Sequence, residues 1–222
     1  MQAEAPRWNY FRLLEQDLED SFRFVQPCNQ HYGVYSEHFA RVILIACTEI
    51  ENCIKSMAKN VKYQSSLKDI DEYNKFLISQ YPNFPYSKVS LPWYELTFEP
   101  WLNWAVGAPP DWWKFGYNKI KHDRENSPDA PTLQRAIDSV AALFVLLLHY
   151  YRTLNGVGYA MPLETQPRLF VLEQKTGDWQ FVVWSRLGLG WFLPWPGPGV
   201  DGRWPTQGAG VCHGHVGGHA GL

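Results

Sequence analysis

Hydrophobic positions recur with helical period over most of the first two thirds of the chain. Phe11, Leu14, Leu18, Phe22 and Val25 fall at intervals of three and four, which predicts an amphipathic helix over about 8–25. Glu15, Asp17, Glu19 and Asp20 take its other face, and Pro27 closes the segment because it cannot continue the helical ladder. Ser36, whose hydroxyl can accept from first-turn amides, predicts the start of a longer helix reaching Asn60. Phe39, Val42, Ile43, Ala46, Ile50, Ile54 and Met57 make its buried stripe. Glu49 lies at the edge of that stripe, where a carboxylate needs a cation or a donor, whereas Glu51 projects to the side and reads as solvated. A weaker helix is expected over about 65–81, capped by Ser66, with Ile70, Tyr73 and Leu77 inward.

Residues 82–101 break the pattern. Pro82, Pro85, Pro92 and Pro100 punctuate Val89, Leu91, Trp93, Tyr94, Leu96 and Phe98, which predicts extended chain with an edge hairpin lying on the helices. The following stretch, Pro110 to Arg124, reads as a helix with Asp111 as its N-cap. At 3.6 residues per turn Trp113, Tyr117, Ile120 and Arg124 share one stripe. Asn118 and His122, four apart, share the neighbouring stripe, flanked by Lys114 and Lys121. Pro131 opens the strongest helix, with Leu133, Ile137, Val140, Phe144 and Leu147 on one face and Asn155-Gly156 at its end. Its middle, 141–148, is apolar nearly all round, as in a helix central to a domain or at a dimer interface. Residues 159–184 read as a β-hairpin extension, with strands from Leu169 and from Trp179. From Ser185 to Leu222 the chain is rich in Gly and Pro, aperiodic, and reads as an irregular tail that is disordered or foreign to the native protein. The expected architecture is therefore mainly α: an antiparallel helical bundle over 1–158 with an extended insertion at 82–101, a small β appendage and the tail.

Composition narrows the function. The 222 residues carry a net charge of −2, so no basic excess announces nucleic acid, although a local patch would not show in that total. Eleven tryptophans point to a well-packed core or an oligomer interface. Cys28, Cys47, Cys53 and Cys212 form no paired motif and suit a reducing, cytoplasmic setting. The N-terminus shows no basic-then-apolar signal, and the 141–148 run falls short of the ~20 residues of a membrane span. Cys212, His213, His215 and His219 match no closed zinc site, so neither metal nor cofactor is expected.

Tyr117-Asn118-Lys119-Ile120-Lys121-His122-Asp123-Arg124, on the second-to-last long helix, resembles the signature of the HEPN superfamily, and Ala46 to Asn52 on the second helix fits the same pattern. The resemblance covers about residues 8–155. The usual motif is an Arg, a polar residue, three variable residues and a His. Asn118 and His122 match, and Tyr117 stands where the Arg would be. The resemblance implies a metal-independent endoribonuclease, or an RNA-directed effector of a toxin–antitoxin or phage-defence system, that works as a homodimer. It implies His122 as general acid or base and Asn118 as an orienting group. Lys121 or Arg124 would replace the missing cation, and Glu49 would orient Lys121 or His122 across the helix pair. Lys114, Lys119 and Trp113 would contact RNA, and an antitoxin or other protein partner is implied beside the second copy. Two alternatives stand beside it. One is a catalytically inactive HEPN-like dimerisation or binding module, in which Asn118 and His122 would hydrogen-bond Glu49. The other is a nucleotide sensor with Trp112 or Trp113 stacked on a base.

Overall fold

The computed structural model describes residues 6–155 and 166–173. Five α-helices carry half of them: α1 (Pro6–Ser21), α2 (Glu37–Asn60), α3 (Ile70–Gln80), α4 (Asn118–His122) and α5 (Leu133–Asn155). Strands β1 (Lys88–Leu91), β2 (Leu96–Phe98) and β3 (Val171–Glu173) make a three-stranded antiparallel sheet in the order β2-β1-β3. The fold is mainly α with a small sheet, as the periodicity predicts.

α5 is the axis of the packing, with α2 and α1 laid against it. Residues 139–149 of α5 are all buried, which an apolar surface on every side of a helix requires when neighbours surround it. By length and composition Leu133–Tyr151 could cross a membrane, but 78% of that window is buried inside the fold, the situation of a core helix. Trp101 secures α5 from the side by donating its Nε1–H to the Ala142 carbonyl at 3.2 Å. Caps set two of the helix starts. The Ser36 hydroxyl accepts from the Phe39 amide at 3.1 Å, as expected, and Asp69 caps α3 through the Asp71 and Glu72 amides. The expected Ser66 cap is displaced by Asp69, whose fixed charge suits the positive end of the helix dipole.

Residues 82–101 form the expected hairpin, with Val89 opposite Phe98 and Leu91 opposite Leu96. Glu95, at φ +54°, takes the left-handed turn position that closes it. β3 pairs with β1, so this strand extends the 82–101 hairpin; the second strand expected from Trp179 lies outside the described residues, as does the tail. Glu15 explains how the approach to β3 is held. The sequence places it on the solvent face of α1, yet it is 0% exposed and accepts the Arg168 and Leu169 amides, both at 2.8 Å. Burial pushes its carboxyl above the usual range, and those backbone bonds and the Arg12 guanidinium pull the other way.

Asp138, on α5, is half-buried and takes no hydrogen bond from any described residue. Desolvation, reinforced by the charge of Asp111, pushes its carboxyl up to about 7.

Candidate functional site

Four aromatic residues in six, Trp112-Trp113-Lys114-Phe115-Gly116-Tyr117, do not fit an α-helical face. The backbone winds into a π-helix over Trp112–Tyr117 before returning to α geometry in α4. The Asn118 amide bonds back five residues to the Trp113 carbonyl, and the wider turn buries Trp112, Trp113, Gly116 and Tyr117 together. Asp111 is helical and makes no cap, contrary to expectation; it accepts from Asn103 Nδ2 at 3.4 Å instead. Trp112 donates its Nε1–H to the Pro100 carbonyl at 2.7 Å and stands edge-on to Trp101.

The side chain at position 117 is the hub of a polar network. Tyr117 is 4% exposed, and its hydroxyl donates to Glu51 Oε1 at 3.0 Å while accepting from Lys121 Nζ at 3.1 Å. Lys55 Nζ reaches the other oxygen of Glu51 at 3.5 Å and sits 5.9 Å from the centre of the Tyr73 ring. α2 contributes Glu51 and Lys55, α3 contributes Tyr73, and the π-to-α junction contributes Tyr117 and Lys121. Burial raises the Tyr117 phenol, with the Lys121 hydrogen bond opposing and the Glu51 charge adding. The bond to Tyr117 and the charge of Glu51 raise Lys121, against the effect of desolvation. Both lysines therefore stay cationic at neutral pH, leaving one carboxylate between two ammonium groups.

α4 turns its other side to solvent. Asn118 and His122 are both exposed and share one face, and the side chain of neither is hydrogen-bonded or ion-paired to any described residue. Lys114 and Lys119 are also exposed. Lys114 lies 5.0 Å from the Phe115 ring centre, and Lys119 pairs with Asp123 at 2.9 Å. Asp123 is held below the usual carboxylate range by that lysine and by the Asn126 amide.

Three expected roles need correction. Glu49 does not meet Lys121 or His122; it pairs with Arg7 of α1 at 3.4 Å, and Glu51, read as solvated, is the carboxylate that meets the 112–122 helix. Arg124 leaves the shared stripe because α4 ends at His122, and it forms an exposed ion pair with Glu37. Trp113 is a core side chain, 5% exposed, packed edge-on to Tyr73 and Trp112 and 4.8 Å from the Tyr117 ring, so no face is open for a base. The signal for the missed pair was present: Glu51 and Lys55 are four apart on α2, the spacing of a helical ion pair.

Cys47 and Cys53 lie in the core of α2 as free thiols. Burial raises both, Cys53 to about 12, which keeps them protonated and unreactive. No family model, curated protein or solved structure matches this chain.

Proposed function

We propose that the chain is a HEPN-like helical domain with an RNA-directed role, a metal-independent endoribonuclease of a toxin or phage-defence system working in the cytoplasm. The observation that carries this reading is the exposed face of α4. Its imidazole and carboxamide, one turn apart, are engaged by no described residue. His122 can take the proton of a ribose 2′-hydroxyl, the role an imidazole most often fills in general acid–base catalysis. The resulting alkoxide attacks the adjacent phosphorus and forms a 2′,3′-cyclic phosphate. The 5′-oxygen leaves and is protonated by a second acid, the His122 of another copy in a two-fold dimer. Lys114, Lys119 and Lys121 would supply the positive charge that meets the negative charge growing on phosphate oxygens. Asn118 would orient the phosphate or the imidazole.

The test is cleavage of a mixed single-stranded RNA by the purified chain in EDTA, compared with His122→Ala and Asn118→Ala. The expected result is cyclic-phosphate products from wild type, with a loss of at least ~100-fold in His122→Ala, the scale of one general acid–base group. Equal inertness of wild type and variant would sink it. One observation favours a second reading, a catalytically inactive HEPN-like dimerisation or RNA-binding module. Position 117 carries a buried phenol committed to Glu51, where the motif would have a guanidinium. That reading expects RNA binding or dimerisation unchanged by His122→Ala, with no cleavage.

A further inference from the structure

The network around Glu51 holds more positive charge than it neutralises. Lys55 Nζ, from α2, lies 3.5 Å from Glu51 Oε2. Lys121 Nζ, from α4, lies 3.1 Å from the Tyr117 hydroxyl that donates to Glu51 Oε1. Two ammonium groups share one carboxylate, so one positive charge is left over. Lys121, raised chiefly by the Tyr117 bond, also feels the opposing charge of Lys55. Both lysines are exposed, and an ammonium group has three donors, which these contacts do not exhaust.

α2 continues the charge. Lys59 stands one turn beyond Lys55, about 6 Å along the axis. It is exposed, and its side chain is neither hydrogen-bonded nor ion-paired to any described residue. Past the helix end the Tyr63 amide donates to the Ala58 carbonyl and the Lys62 amide to the Lys59 carbonyl, a closure that ordinarily puts Gly in the left-handed position. Lys62 takes that position instead, at φ +54°, and adds a cation at the same end of α2. Residues 52–68 hold four lysines and no acidic residue, in a chain whose total charge is −2. Asp69, whose charge adds to burial in raising the Tyr73 phenol, is engaged by the Asp71 and Glu72 amides.

A row of cations matches a polyanion. Carboxylates of an extended acidic peptide alternate between its two faces, whereas every phosphate of a nucleic-acid strand belongs to one continuous backbone. Lys121 and His122 are consecutive on α4, so the head of the row and the proposed general base are one residue apart. We propose that Lys121, Lys55 and Lys59 bind successive backbone phosphates of single-stranded RNA, with Glu51 holding the first two ammonium groups in place. The choice of occupant rests on the RNA-directed reading.

The test is fluorescence anisotropy of a labelled single-stranded 2′-O-methyl RNA, which has no free 2′-hydroxyl to attack, titrated with the full-length chain over a range of KCl concentrations. Each phosphate contact contributes about 0.7 to the slope of log affinity against log salt. Lys55→Gln and Lys59→Gln are each expected to lower that slope by about 0.7 and to weaken binding about threefold, while Lys55→Arg keeps both. Arg41→Gln, on the same helix about 21 Å from Lys55, should leave the slope unchanged. The Lys59 side chain is bonded to no described residue, so its variant reads the row even where Lys55→Gln disturbs the Glu51 network. Cleavage of unmodified RNA, followed in parallel, reports on catalysis separately. Slope losses without cleavage support the row and defeat the nuclease; cleavage with unchanged slopes defeats the row alone. Absence of RNA binding by the wild type, an equal slope loss in Arg41→Gln, or poly-glutamate bound as tightly with the same slope losses would each overturn the assignment.

Discussion

Replacing Asp138 by Asn is expected to stabilise the protein above neutral pH and to change little in acid. The folded-state carboxyl sits at about 7, against an ordinary value of 3.8, because burial and the charge of Asp111 disfavour its ionised form. A carboxyl raised on folding binds its proton more tightly in the native state. Its contribution to stability is therefore complete below the unfolded value and is lost as pH climbs through the folded one. The shift of about three units sets a ceiling of roughly 4 kcal/mol, at about 1.4 kcal/mol per unit. Water reaching a half-buried side chain screens part of it, so about 1–2 kcal/mol is the expected difference at pH 8. An amide mimics the protonated form at every pH. In a domain of this size the gain corresponds to a rise in Tm of about 3–6 °C at pH 8, shrinking toward zero near pH 4. Thermal unfolding followed by circular dichroism across that range measures it. Asp111→Asn should recover a smaller share, since its charge is the second cause and desolvation the first. If D138N shifted Tm equally at both ends of the range, or lowered it at pH 8, the assignment of a neutral native carboxyl would be wrong.

Glu15→Ala should destabilise by about 3 kcal/mol or more, because it strips the acceptor from two backbone amides at once. Hydrogen exchange at residues 168–173 should rise more than in the body of α2, and Glu15→Gln, which keeps an acceptor oxygen, should cost less. In the hub, Tyr117→Phe and Glu51→Gln should be non-additive by about 1 kcal/mol in a urea double-mutant cycle, the scale of a partly exposed charge-assisted hydrogen bond; additive effects would mean that the 3.0 Å contact contributes nothing. Ser36→Ala should cost about 1 kcal/mol through loss of the α2 cap, while Ser66→Ala, outside any cap, should be neutral within about 0.5 kcal/mol.

Much of the scaffold was legible because helix formation is governed by near neighbours. The spacing of Phe39 to Met57, the hydroxyl of Ser36 and the apolar run of 141–148 each act within a turn or two, so α2 and α5 could be drawn from the chain alone. The same locality keeps Asn118 and His122 on one face, since α4 has α geometry from residue 118 onward. The π-helix was not legible, because a 3.6-residue template has no place for Trp112, Trp113 and Tyr117 buried together. What selects the wider turn is the set of partners those rings find, Trp101 and the Pro100 carbonyl around Trp112 and Tyr73 beside Trp113.

Charged residues marked the limit most sharply. Sequence determined that Glu15, Glu49, Glu51 and Asp138 lie on helices, and roughly how far each stands from an apolar stripe. Only the tertiary structure decided that Glu15 is buried under two amides, that Glu49 meets Arg7, that Glu51 meets Tyr117 and that Asp138 meets no donor among the described residues. The reason is physical: periodicity reports which side of an element is apolar, a property of a dozen consecutive residues. The state of a carboxylate depends on the few atoms within hydrogen-bonding reach, and here those are supplied by residues 42, 66 and 153 positions away along the chain.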